Sequence, residues 1–271
     1  MSQDASSDFV QDGIEFQVNT FTSSSQFCPA VVSTPGSDEF VVAWSGLEEA
    51  SLPANRIGVM GHRFQSNWAR LGREFQVNQD PSGIILEEVR PAIAATGEGA
   101  FVVVWESYRG RDGDEEGIFG RRLDVAGNPL GDDFLVNDHT TGRQIDPEVA
   151  VFPDGGFVVV WTDSQGESYL DDSRLFGRHF NAVGAPTGAY FVVASDSGPI
   201  RPTLASLPEG RFIVVWQAVN NSGTGEAVFA RRFESADSDD FEQRFRAKAI
   251  TCSDEADQGV GAQRRCRASL V

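Results

Sequence analysis

Phe101-Val102-Val103-Val104-Trp105 is apolar at odd and even positions alike, and close copies recur along the chain. The copies are Phe40-Val41-Val42-Ala43-Trp44, Phe157-Val158-Val159-Val160-Trp161 and Phe212-Ile213-Val214-Val215-Trp216. A strand with one face in water would alternate apolar with polar residues, so each copy predicts a strand buried on both faces. Each is too short for a buried helix and is bounded by turn signals. Upstream stand Pro35-Gly36-Ser37-Asp38, Thr96-Gly97-Glu98-Gly99, Pro153-Asp154-Gly155-Gly156 and Pro208-Glu209-Gly210-Arg211. These read as hairpin loops, with glycine available where φ must be positive.

Before each loop lies a second apolar run opened by proline: Pro29-Ala30-Val31-Val32, Pro91-Ala92-Ile93-Ala94, Pro147-Glu148-Val149-Ala150 and Pro202-Thr203-Leu204-Ala205. Proline is tolerated at the start of a strand, where no ladder donor is needed. The small alanines suit a crowded place near a central axis. After each tryptophan come a variable polar loop and a third strand, as in Ile118-Phe119-Gly120-Arg121-Arg122-Leu123. A fourth closes the unit: Phe75-Gln76-Val77-Asn78, Phe134-Leu135-Val136-Asn137 and Phe191-Val192-Val193-Ala194. The sequence thus predicts an all-β fold with four repeats of a four-stranded antiparallel meander, each of about 57 residues.

Repeated four-stranded units with doubly apolar inner strands point to a β-propeller-like ring. Ile14-Glu15-Phe16-Gln17-Val18-Asn19 reads as a fourth strand with no unit before it, while the last clear unit stops after its third strand at Phe233. The N-terminal strand is therefore expected to complete the last blade and close the ring, which removes two free edges. An open array, or a half-ring that forms a homodimer, is the rival. The domain reading is a disordered leader over 1–13, the repeat domain over 14–240, and an irregular tail or degenerate partial blade over 241–271.

Charge narrows the partners. Across 271 residues the net charge is −18, so nucleic acid is an unsuitable ligand. No run is apolar enough to insert in a membrane, and the start lacks the regions of a signal peptide. The cysteine count of 3 is too small for a disulfide scaffold.

The combination Pro-x-Val-Ala, Asp-Gly-Gly-Phe-Val-Val-Val-Trp, Gly-Ile-Phe-Gly-Arg-Arg, Gly-Asn-Pro-Leu-Gly and Phe-Gln-Val-Asn resembles the tandem repeats of large secreted bacterial proteins. The resemblance covers residues 14–240. It implies an adhesin-like module and an extracellular or cell-surface location; without export, the location is cytoplasmic.

Candidate sites follow from where the copies differ. Trp44, Trp105, Trp161 and Trp216 recur at one position and read as packing anchors between blades. Arg63, Arg122 and Arg232, with His179 in the third copy, read as stacking on aromatics or fixing inter-blade carboxylates. The variable loops after the tryptophans gather on one rim and are the expected seat of function. There Tyr108 and Tyr169 could offer aromatic platforms to a sugar, with Arg109 beside them, and Trp68 breaks the repeat in a turn. Each also reads as a loop anchor. Asp112, Asp114, Glu115 and Glu116 are oxygen donors suited to calcium, the one cofactor the sequence suggests, or else a solvated acidic loop.

The functional expectation is a non-enzymatic binding or adhesion module. Its ligand would be carbohydrate first and protein second. A structural spacer or protein-interaction scaffold from a larger surface protein is the alternative, and a propeller glycoside hydrolase comes third. No catalytic residue is assigned, because with 40 carboxylates some acidic pair is always present.

Overall fold

The computed structural model describes residues 15–22, 25–47, 57–79, 87–97, 99–108, 111–165, 173–195, 198–219, 225–234, 248–253 and 265–268. The fold is all-β, with four antiparallel sheets. Blade 1 holds β1 (Gln26–Ser33), β2 (Glu39–Leu47), β3 (Ile57–Gln65) and β4 (Arg70–Gln76). Blade 2 holds β5 (Glu88–Ala95), β6 (Phe101–Ser107), β7 (Gly117–Leu123) and β8 (Phe134–Leu135). Blade 3 holds β9 (Arg143–Val151), β10 (Phe157–Ser164), β11 (Arg174–Phe180) and β12 (Phe191–Ala194). Blade 4 holds β13 (Ile200–Ser206), β14 (Phe212–Val219) and β15 (Glu226–Phe233), followed at its edge by β16 (Lys248–Ser253) and β17 (Arg265–Ala268). The chain is a β-propeller-like repeat protein.

The doubly apolar strands are explained by which neighbour each side chain meets. Phe101, Val103 and Trp105 pack with Val41, Val59 and Val77 of blade 1. Val102 and Val104 pack the other way, with Val149, Phe157, Val159 and Trp161 of blade 3. Val158 and Val160 in turn meet Phe212, Val214 and Trp216 of blade 4. Each such side chain, when fully buried, stabilises the stack by roughly 1.5–3 kcal/mol. The core therefore lies between blades, not within them.

Two further repeated residues receive a physical reason. A Cβ on Gly61, Gly120 or Gly177 would come within 2.6, 2.8 or 2.4 Å of the ring of Phe75, Phe134 or Phe191. Glycine in the third strand is thus the seat of the fourth-strand phenylalanine. The arginine after that glycine reaches back to the preceding blade: Arg121 Nη1 donates to the Val77 carbonyl and Arg178 Nη1 to that of Val136, both at 2.9 Å. Arg231 makes the same bond to Val193. Their neighbours in sequence behave differently, since Arg63 pairs with Glu39 of its own blade and Arg232 with Glu234. His179 packs among Phe152, Phe191 and Phe212, and burial pushes it down to about 4.

The expected closure by the N-terminal strand is not what the structure shows. Residues 15–19 form no ladder with β15, whose outer edge is taken by β16 through Ala230–Ile250, Arg231–Ala249 and Arg232–Lys248. Phe16 and Val18 instead cover the outward face of blade 1, against Val42, Trp44, Phe64 and Phe40. They fill the place that Phe75 and Val77 fill against blade 2. At the far end the apolar pattern continues without cover among the described residues. Val228 is 68% exposed where its equivalents Val59, Ile118 and Leu175 are all at 0%.

Candidate active site

The four innermost strands share one irregularity. Cys28, Arg90, Asp146 and Arg201 each precede a proline, and each has a positive φ, of 51°, 51°, 51° and 49°. Residues before proline are ordinarily extended. A non-glycine residue held left-handed costs about 1–3 kcal/mol and clusters at functional sites. The ladders shift register at each of these points, so all four are β-bulges. A bulge leaves one residue unpaired and re-aims its side chain.

All four face the same place. A cavity of about 250 Å3 is lined by Cys28, Pro29, Arg90, Pro91, Asp146, Pro147, Glu148, Arg201 and Pro202, one group from each innermost strand. It opens between the blades on the rim that carries the loops after the tryptophans. The backbone of the site repeats while its side chains do not: the bulge position reads Cys, Arg, Asp, Arg, and the position after proline reads Ala30, Ala92, Glu148, Thr203.

Asp146 and Glu148 are the carboxylates of the cavity. Burial, with the charge of Asp146 adding to it, pushes the Glu148 carboxyl up to about 7. Glu148 has no hydrogen-bond partner among the described residues. Asp146 is held from the neighbouring blade: Arg90 Nη1 lies 3.3 Å from its Oδ1 and 3.2 Å from Glu106 Oε1. The Asp146 amide, released from its own ladder by the bulge, donates to Glu106 Oε1 at 2.6 Å. Glu106 is fully buried, and its other oxygen accepts from the Tyr108 hydroxyl at 3.0 Å. Burial raises the Glu106 carboxyl, and the Arg90 charge opposes that rise. Glu106, Arg90 and Tyr108 thus form a bracket that fixes Asp146, while Glu148 stands free beside it.

The residues singled out from sequence fall in several places. Tyr108 joins this bracket through Glu106 rather than standing as an open platform. Arg109 and Tyr169 lie outside the described residues. Trp68, at φ 70° and 45% exposed, packs on Phe16 and Phe40 at ring distances of 5.3 and 5.8 Å. Trp44, Trp105, Trp161 and Trp216 are all buried within the clusters between blades or under the N-terminal segment.

The acidic loop faces blade 3. Glu115 and Glu116 pair with Arg143 at 2.7 and 3.3 Å, and burial raises Glu116. Asp114 accepts from the Gly142 amide at 2.8 Å and Asp112 from Asn137 at 3.0 Å. Among the described residues, no group of three or more His, Cys, Asp or Glu side chains is placed to hold a metal ion.

A second buried carboxyl lies on the same rim, away from the cavity lining. Glu88 is 1% exposed; its Oε1 accepts from Arg111 at 3.1 Å and from Ser107 at 3.2 Å. Arg111 also pairs with Asp133 at 2.7 Å and lies 4.1 Å from the Phe119 ring centroid. Burial pushes Glu88 up to about 7 against the pull of Arg111.

Glu148 and Asp146 are the residues that reading the sequence missed. One signal was present: Glu148 is a carboxylate in an inner strand where the other copies have Ala30, Ala92 and Thr203.

Comparison with solved structures bears on the fold. An endo-arabinase from Bacteroides thetaiotaomicron superposes with a TM-score of 0.52 at 11% identity, covering 90% of this chain and 94% of that one. An exo-1,5-α-L-arabinanase from a bovine ruminal metagenomic library gives a TM-score of 0.52 at 10% identity, covering 79% of this chain and 76% of that one. The chain shares its fold with these propellers. No protein-family model matches the chain, and no curated protein sequence does. The expectation of a non-enzymatic binding or adhesion module is corrected here, because the two solved structures on which the chain superposes are named as enzymes. It failed because the repeated positions were read as packing alone, and the two non-repeated carboxylates of the inner strands, Asp146 and Glu148, were not weighed.

Proposed function

We propose that this chain is a β-propeller glycoside hydrolase with its active site in the axial cavity. The observation that carries this reading is Glu148, an unpartnered carboxyl pushed up to about 7, next to the bracketed Asp146. Glycoside hydrolysis needs one carboxylic acid and one carboxylate flanking the scissile bond. Glu148, still protonated in about half of the molecules at neutral pH, donates its proton to the glycosidic oxygen as the bond from that oxygen to the anomeric carbon breaks. Asp146 takes a proton from the water that attacks the anomeric carbon. Arg90 and the Glu106 bracket position Asp146 without touching substrate.

The fold shared with an endo-arabinase and an exo-arabinanase supports carbohydrate as the ligand and makes arabinan the first substrate to try. An extracellular or cell-surface location fits a polymeric substrate. The test is release of reducing sugar from arabinan, xylan and galactan by the purified chain and by Glu148→Gln. Release that disappears in the variant supports the proposal. Release unaffected by the substitution, or none from any polysaccharide, would sink it.

A further inference from the structure

The axial cavity contains two arginines in equivalent positions with opposite circumstances. Arg90 is committed to Glu106 and Asp146. Arg201, on the strand of blade 4, lines the same cavity and has neither an ion pair nor a side-chain hydrogen bond among the described residues. Arg111, Arg121, Arg143 and Arg178 are all ion-paired. In a chain of net charge −18, with carboxylates in the same cavity, an arginine left without one is notable. It is also held at φ 49°, in a conformation that costs free energy and that the bulge imposes on it.

We infer that Arg201 is a specificity residue that receives a carboxylate on the substrate, so that the cavity favours sugars bearing a uronic acid. The guanidinium is a planar fork of donors whose spacing matches a carboxylate in bidentate fashion. The cavity, about 250 Å3, lies just below the usual size of ligand sites, about 300–1,000 Å3, and suits one or two sugar rings of a chain at a time. Arg90 is already shared between Glu106 and Asp146, so Arg201 is the cation of the cavity that a substrate carboxylate can pair with. Glu148, opposite in the lining, remains free to act on the adjoining bond. Arg201 is exposed, so its side chain is not part of the packed core.

This inference rests on the axial cavity being the carbohydrate site, and its test is separable from turnover. In a Glu148→Gln background, calorimetry compares xylobiose with the disaccharide of glucuronic acid and xylose, and with xylobiose carrying a sulfate. The uronic acid form should bind about 10- to 100-fold more tightly than the neutral one, the range expected of a charge-assisted contact. Arg201→Gln should abolish that preference, and Arg201→Lys, which keeps the charge but loses the fork, should retain part of it. Arg211→Gln, a surface control paired with Glu209, should leave it intact. Equal binding of the neutral and uronic forms, a stronger response to sulfate, a preference that survives Arg201→Gln, or no binding at all would overturn the inference. Uronate binding that depends on Arg201 in a protein that hydrolyses nothing would keep it and remove the hydrolase reading instead.

Discussion

Glu88 and Glu148 are both pushed up to about 7, by burial above all, yet they occupy opposite kinds of site. Glu88 is sealed, and its carboxyl is held by Arg111 and Ser107 within a network that reaches Asp133 and lies over Phe119. Glu148 lines an open cavity and has no such partner. A raised carboxyl pKa is therefore no signature of catalysis by itself. What separates the two is access to a ligand and freedom from an internal cation. One carboxyl fixes a loop; the other keeps a proton it can give away.

The largest effect that would sharpen this contrast is chemical. Glu148→Gln should lower the hydrolytic rate by about 100- to 10,000-fold, the range for loss of a general acid, while the melting temperature stays put. A variant that lost folding along with activity would place Glu148 with Glu88 as a structural group. Next comes the sealed site. Arg111→Ala leaves Glu88 buried without its cation and Asp133 with Arg121 alone, and should cost about 3–5 kcal/mol in urea unfolding. A loss under 1 kcal/mol would mean the network is solvated and the contrast false.

Acidity offers a third handle. The ordinary value of both carboxyls is 4.5, and both rise to about 7 in the fold. Between those values the folded chain binds more protons than the unfolded one, so this contribution to stability is fully present below pH 4.5 and lost as pH rises through 7. Glu88→Gln should flatten the stability profile in that window without moving the activity profile. Activity should fall above about 7, where Glu148 gives up its proton, and that limb should follow Glu148 alone. The smallest effect expected is from Tyr108→Phe, which removes one hydrogen bond to Glu106 and should change kcat or stability by about 0.5–1.5 kcal/mol. A change far beyond that would make Tyr108 a direct participant.

The blades were legible in the sequence because their chemistry repeats. Phe-Val-Val-Val-Trp could be read as doubly buried from its lack of alternation alone, and Val102 and Val103 do face different neighbours. The closure was misjudged because Phe16-Gln17-Val18-Asn19 matches a fourth strand by composition, and composition fixes the packing face rather than the ladder. Phe16 and Val18 take up that face against blade 1, while β16 takes the ladder. The site was hidden for a different reason. Cys28, Arg90, Asp146 and Arg201 have no one side chain in common, and the bulge, a property of the backbone, brings them to one cavity. Glu148 could have been found by asking where a repeat breaks toward a carboxylate rather than where its loops are acidic.

The exposed Val228 carries a consequence for how the molecule comes apart. Because cores lie between neighbouring blades, each interior blade is held from two sides and, among the described residues, blade 4 from one, much as in a stack of coins where the end coin slides first. Linear arrays of this kind lose structure from their ends, with interface energies adding step by step. Amide hydrogens of β14 and β15 should therefore exchange ahead of those in β6 and β10. The cavity, which needs Arg201 from that same end blade, would lose one wall before the bracket around Asp146 is disturbed.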